Sequence, residues 1–281
     1  MITGSTRRRW TVTAARYGAL VLAAAVLALP FVYMVSTSLK PRTLLLEYPP
    51  TLVPADPTLA NYATAWGANN FGRYFLNSAS VALATTVCTV LLASMMAYSF
   101  ARFRYPGRGV LFATVVLGLT IPTMLLIIPQ FLLAKDLGLI DSLPGLVPFY
   151  VGTQLAFTTF LLRAFFERIP RELDEAMLID GAGAWRRYWN LALPLSKPAL
   201  ATTGIFVFLG SWDEFVWALT VINDVSNRTL PIGIALFRGQ HGTSWGLVFA
   251  ASVIAVLPVV VVYVLFQRHI VSGLTSGALK G

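Results

Sequence analysis

Phe75 to Ala101 reads FLNSASVALATTVCTVLLASMMAYSFA, 27 residues without a charge. A bilayer core is crossed by about 20 apolar residues in helical form. The run does not alternate apolar and polar positions, as a strand of a membrane barrel would. In lipid every backbone N–H and C=O must be satisfied within the segment, so a run this long is expected to be a helix. Working outward, Tyr17–Leu39, Gly109–Ala134, Ser142–Leu162 and Val248–Phe266 are also free of charge. Pro198–Asn223 is apolar apart from Asp213 and Glu214. Six spans are therefore expected, the fifth being the least clean.

The whole chain agrees. Of 281 residues, 57% are hydrophobic and 12% charged, against about 25% charged in an average soluble domain. Mean hydropathy is +0.71. A disordered chain, a nucleic-acid-binding tail protein and an ordinary cytosolic enzyme are excluded. The fold class expected is all-α, an integral membrane bundle of six transmembrane helices. Cys88 is the single cysteine, so no intrachain disulfide or cysteine-based metal site can form. Pro30, Pro122, Pro129, Pro148 and Pro258 fall within the spans. Each removes a backbone donor, and either helix shape or a hinge could follow.

Orientation follows from Lys and Arg. The N-terminus, second and fourth loops and C-terminus carry 15 basic residues, and the alternate loops carry 6. The positive-inside rule puts the first set, and both termini, in the cytoplasm. The net charge of +9 is then topological, and nucleic acid is not expected as a partner. Arg7–Arg9 before an apolar run resembles a signal peptide, but the run is too long for a typical one and reads as a retained anchor. The expected layout is an N-terminal cytoplasmic segment at 1–16, a six-span domain at 17–267 and a cytoplasmic tail at 268–281.

Three loops exceed mere connectors: Lys40–Tyr74, Asp224–Gly246 and the internal Arg163–Lys197. In the internal loop Pro170 suits a first helical position. Glu172, Asp174 and Glu175 then lie near the positive end of the helix dipole. Leu173, Ala176 and Met177 share one apolar face. Gly181 fits just past the helix end. A second short helix is expected from about Ala184 to Leu191, ended by Leu193-Pro194. Nothing in the chain is positioned to bury the apolar face of the first helix, so it needs membrane lipid or another protein.

Glu175-Ala176-Met177, then Gly181, then Leu191-Ala192-Leu193-Pro194, resembles the EAA signature of ABC importer permeases. That pattern is E-A-A, three residues, G, nine residues, I, one residue, L-P, and the spacing matches throughout. Met177 replaces the second alanine, and Leu191 replaces isoleucine. Ser38-Leu39-Lys40-Pro41, Pro57-Thr58-Leu59-Ala60-Asn61-Tyr62, Asn77-Ser78, Gly138–Ser142, Trp212-Asp213-Glu214-Phe215 and Gly273–Gly281 are similar to the maltose-type carbohydrate permease family. They match its shorter, six-span subunit, which usually has Asn where Asp213 stands.

The resemblance implies a type I ABC importer permease architecture in a bacterial plasma (inner) membrane. It implies a second permease subunit as heterodimer partner, an ATPase dimer and an extracytoplasmic substrate-binding protein. Glu175, Ala176, Met177, Asp180, Gly181, Leu191, Leu193 and Pro194 would form the ATPase-coupling loop. Thr275, Ser276, Gly277 and Lys280 would reach the ATPase from the C-terminal tail. Asp224–Gly246 would probe the binding protein. No cofactor is expected on this chain, with ATP and Mg bound by the partner. The sequence agrees, because none of the four lysines follows a glycine and a P-loop needs Gly-Lys.

Asp213 and Glu214 lie near the middle of the fifth run, where a charge costs about 2.5–3.5 kcal/mol to insert. Such acids usually face a cavity or a partner. One carboxylate could border a translocation path, with Trp212 or Trp217 as a sugar-stacking surface. Asp213 and Trp217, at i and i+4, would share a helix face. Both acids could instead be hydrogen-bond anchors to a neighbouring helix. His241 and His269, in different compartments, are not expected to form a metal site. Three functions remain: an importer permease for a mono- or oligosaccharide, with glycerophosphodiesters open; an ion-coupled secondary transporter using Asp213 or Glu214; and a non-transporting membrane scaffold.

Overall fold

The computed structural model describes the backbone of residues 3–41, 51–68, 70–239 and 242–278, and the side chains of those among them within 12–267. Tyr48-Pro49-Pro50, His241 and Lys280 lie outside the described residues, as do the side chains of Arg7–Arg9, His269, Thr275 and Ser276. The chain is helical, with a two-residue antiparallel ladder as the sheet content among the described residues. Helix α1 is Thr3–Ser38, α2 is Ala60–Gly67 and α3 is Phe71–Arg102. Next come α4 (Arg108–Leu117), α5 (Ile127–Asp136), α6 (Leu143–Phe166) and α7 (Arg171–Ile179). Short helices α8 (Ala184–Arg187) and α9 (Leu193–Leu195) flank a π-helical turn at Tyr188–Ala192. Helices α10 (Lys197–Trp212), α11 (Val216–Val221) and α12 (Leu230–Ala235) follow. The ladder of β1 (Arg238–Gly239) with β2 (Gly242–Thr243) precedes α13 (Trp245–Ala278).

Among the described residues four helices are long and apolar enough to cross a membrane: Val12–Ser38, α3, α6 and Trp245–Gln267. The third and fifth expected spans are not single helices. Gly109–Ala134 is broken at Pro122, where Arg108–Thr120 and Thr123–Asp136 meet at 95°. The fifth run ends as a regular helix at Trp212 and restarts at Val216. A second bend, of 79°, lies between Ala184–Leu195 and Lys197–Trp212, and six crossings result if each bent pair, at Pro122 and at Ser196, is one span. The prolines differ by position. Pro30, Pro148 and Pro258 sit inside continuous helices. Pro129 lies in the first turn of α5, where its missing N–H has no intrahelical role. Helices α1 and α13 also run through the expected boundaries at residues 16–17 and 267–268.

The chain divides into two compact units, residues 1–68 with 234–254, and residues 69–233 with 255–281. In the first, Asn61 Nδ2 donates to the carbonyls of Ser38 (2.9 Å) and Lys40 (2.8 Å). The Tyr62 and Ser38 hydroxyls share a 2.6 Å hydrogen bond. Two short motifs far apart in sequence therefore form one hydrogen-bonded corner after α1. Gly246 must be glycine-sized there, since a Cβ would lie 2.9 Å from Asn61 Nδ2.

In the second unit α3 packs against α6 and α10. Its buried stripe of Ala82, Thr85, Thr89, Ala93 and Ala97 is made of small residues, which let helices approach closely without a water-driven hydrophobic force. Gly204 of α10 faces Thr86 and Val90, and Gly210 faces the Gln154 side chain of α6. Gln154 Nε2 also donates to Ser211 Oγ at 2.9 Å. At the end of the bundle formed by the α5–α6 turn, Asn77 Nδ2 donates to the Ser226 and Arg228 carbonyls. There the Leu230 N–H donates to Ser78 Oγ. Asp141, with φ 60°, accepts from the N–H groups of Asn223 and Asp224 through Oδ1. These are the Asn77-Ser78 and Gly138–Ser142 motifs, and their shared work is to hold the segment after α11.

Candidate functional site: the α7 coupling loop and the α10–α11 break

The loop between α6 and α10 is ordered by its own ends. Helix α7 starts one residue later than expected, with Pro170 as N-cap in extended conformation. It ends as expected at Gly181, whose φ of 74° suits a residue without Cβ. Gly181 N–H donates to Leu178 O, and Ala182 N–H reaches back to Met177 O. This pair of bonds is a Schellman cap and satisfies the last carbonyls. Leu193-Pro194 does not end the second helix, which continues to Leu195. The π turn before Pro194 widens the backbone and accommodates the missing donor.

Helix α7 is turned inside out relative to a soluble surface helix. Leu178 is 51% exposed and Ile179 87%, and Leu173, Glu175, Ala176 and Asp180 are also exposed. Met177, Leu191 and Leu193 are half-buried, and Pro194 is exposed. The inward residue is Asp174, 8% exposed, against Arg102 and Arg187. The loop is seated on the bundle by Tyr188. Its hydroxyl shares a 2.7 Å hydrogen bond with Ser94, and its ring packs with Tyr98. An apolar face therefore stands free at one end of the unit on a rigid base, as a docking surface requires.

The second expected site changes character. Asp213 and Glu214 are not in mid-helix; α10 ends at Trp212, and the two acids fill the break before α11. Asp213 and Trp217 therefore do not share a helix face. Asp213 is exposed. Glu214 Oε1 accepts from Trp217 N–H (2.7 Å), and Oε2 accepts from Ala218 N–H (3.0 Å) and Tyr150 Oη–H (2.6 Å). It caps α11 and anchors it to α6.

Neither tryptophan offers a free stacking face. Trp212 is 2% exposed, stacked on Phe208 and edge-on to Phe75, with Nε1 donating to Ala255 O. Trp217 is 6% exposed and packs on Phe149. Its Nε1–H has no hydrogen-bond partner among the described residues. A cavity of about 140 Å³ lies at this break, lined by Gln130, Tyr150, Thr153, Glu214 and Trp217 with Met124 and other apolar residues. The Pro122 break supplies one wall through Thr123 and Met124. Gln130 and Tyr150 were not singled out by the sequence, because nothing in their neighbourhood reveals that two helix breaks meet. Thr275, Ser276 and Gly277 lie in the last turns of α13.

Long apolar helices, two broken apolar runs and an amphipathic helix with an exposed apolar face define a multi-pass membrane protein. Residues 89–276 match the model of the binding-protein-dependent transport system inner membrane component family, and the chain belongs to that family. It is a multi-pass permease subunit of an ABC importer. The diacetylchitobiose uptake system permease protein NgcG of Streptomyces coelicolor is 36% identical over 93% of this chain and 87% of its own. The trehalose/maltose transport system permease protein MalG of Thermococcus litoralis is 39% identical over 93% of this chain and 94% of its own. A chain in the crystal structure of a bacterial ABC transporter involved in import of the acidic polysaccharide alginate superposes with a TM-score of 0.80. That match covers 95% of this chain and 98% of the other at 24% identity, and shows the same fold.

Proposed function

We propose that this subunit carries mono- or oligosaccharides inward, supplied by an extracytoplasmic binding protein and driven by a partner ATPase dimer holding ATP and Mg. The observation that carries this reading is the exposed apolar face of α7 on its Gly181-capped base, with EAA spacing. The sugar class is supported by the diacetylchitobiose and trehalose/maltose names of the relatives. The cavity of about 140 Å³ at the α10–α11 break agrees with a neutral solute only in part: its lining is mainly apolar, with Gln130, Tyr150, Thr153 and Glu214 as polar groups and no Lys or Arg. Neutral polyols are bound by such sets, whereas a phosphodiester calls for basic residues. Glu214 and Trp217 border the translocation path in this reading, while Asp213 and Trp212 act outside it.

A second permease subunit completes the path. The open apolar groove of about 790 Å³ between α3 and α6, lined by Val81, Ala84, Cys88, Val147 and Val151, is a surface it would cover. The excess of basic residues in alternate loops supports cytoplasmic termini in a bacterial inner membrane. The α7 loop and the Thr275–Lys280 tail then face the ATPase. The test is reconstitution in proteoliposomes with the ATPase and binding protein. Labelled disaccharide uptake should require both ATP on the α7 side and the binding protein. Uptake driven by an ion gradient without ATP would sink the reading.

A further inference from the structure

Helix α7 carries Glu172, Asp174 and Glu175, yet only Asp174 turns inward. Its Oδ2 lies 3.3 Å from Arg102 Nε, and its Oδ1 lies 3.7 Å from Arg187 Nη1. Arg102 is the last residue of α3, and Arg187 the last of α8. Arg102 also donates from Nη2 to the carbonyl of Ile169 at 2.6 Å, just before α7 begins. One carboxylate thus joins three elements that are 72 and 13 residues distant in sequence. All three side chains are largely withdrawn from solvent.

The nature of the contact matters. Asp174 Oδ1, Arg102 Nε and Arg187 Nε make no hydrogen bond among the described residues. The attraction is therefore mainly Coulombic, and such attraction tolerates a sliding geometry that a short bidentate bond does not. Its strength is retained as the partners shift, because screening is weak for a buried pair. Separating the partners would leave a charge buried and alone, which is far costlier than losing a surface pair. A displaced α7 is thus expected to draw the end of α3 and α8 with it. Helix α3 is the helix that α6 and α10 pack against, so the cluster is a direct ionic link from α7 itself to the bundle, beside the Tyr188 contacts of the following turn.

We propose that Asp174 is a positioning residue for transport: it transmits the displacement of α7 to α3 and α8. This rests on the reading of α7 as the ATPase-coupling helix. The test uses the complete complex with its ATPase, second permease and binding protein. Asp174→Asn keeps the shape and removes the charge. It should leave subunit stoichiometry and basal ATP hydrolysis near wild type, while binding-protein-stimulated hydrolysis and uptake both fall about tenfold or more. Asp174→Glu, which keeps the charge, should restore most of both.

An assembled Asp174→Asn complex that transports within about twofold of wild type, well inside the usual range of coupling energies, overturns the proposal. If Asp174→Asn does not assemble, Arg187→Gln carries the test, since it cuts only the link to α8. It should assemble with stimulated hydrolysis reduced and basal hydrolysis kept. Unchanged stimulation, or failure of both variants to assemble, assigns the cluster to folding alone and ends the proposal. Absence of ATP-dependent uptake in the wild-type complex is a separate result, and it removes the coupling reading itself.

Discussion

Two carboxylates are drawn into this protein in contrasting ways. Asp174 is held by two guanidinium groups from other elements, at ion-pair distances. Glu214 is held by two N–H groups within four residues and by one tyrosine hydroxyl. The first is a charge answered by charges, so it links parts that must travel together. The second is a charge answered by dipoles, so it fixes a local backbone break. Around Asp174 the helix shows its apolar side outward. Around Glu214 the aromatic side chains turn inward and leave a small, mainly apolar cavity into which a few polar groups project. The same residue chemistry serves a transmitting joint in one place and a rigid junction in the other.

The sharpest way to break this comparison is Glu214→Ala. It strands two N–H groups and the Tyr150 hydroxyl, and a loss of about 3 kcal/mol is expected in thermal unfolding of the solubilised complex. Glu214→Gln keeps an acceptor and should cost less. Ile179→Asp acts at the other end without touching the fold. It should weaken ATPase co-purification about tenfold or more, as for removal of an interface anchor, with the melting temperature unchanged.

Tyr150→Phe removes one bond to Glu214 and should cost about 1–2 kcal/mol, since its acceptor is ionised. Gly181→Ala places a Cβ at φ 74° and should cost about 1 kcal/mol, read as a lower melting temperature and reduced coupling. The smallest effect is one of pH. Asp224, exposed in the loop after α11, is held below the usual carboxylate range by the Ser226 N–H, with Arg73 and Arg228 contributing. A depressed folded value means that the cap is present near neutral pH and is lost only as pH falls through that value. Amide exchange at Ser226 should lose its protection on acidification, and in Asp224→Asn this pH dependence should vanish.

The α7 loop was the most legible part of the chain. Pro170 and Gly181 bracket α7 because proline and glycine restrict or permit backbone angles locally, whatever the surroundings. The second helix of this loop was less legible, because a π turn ahead of Pro194 is a tertiary accommodation. The fifth run misled for another reason. Counting uncharged residues measures transfer to lipid, and says nothing of whether the backbone stays helical. Glu214 three residues before Trp217 was a usable signal for a cap, but it lay inside an apolar stretch that reads as continuous helix. Pro122 gave no sign that it differs from Pro148, since both stand in uncharged runs. Only the neighbours decide whether a lost donor bends a helix by 95° or passes unnoticed.

By itself the sequence determined that the chain lives in a membrane, how many apolar runs it has and, to within one residue, where α7 starts and stops. Those properties follow from transfer energies and local backbone preferences, which act over a few residues. The tertiary structure decided the rest: which acid of Glu172, Asp174 and Glu175 is buried, that Trp212 and Trp217 are core residues, and that two broken runs meet at one cavity. These depend on contacts between residues tens of positions apart. Such pairings arise only when helices are packed, because a charge or an indole takes its role from what faces it.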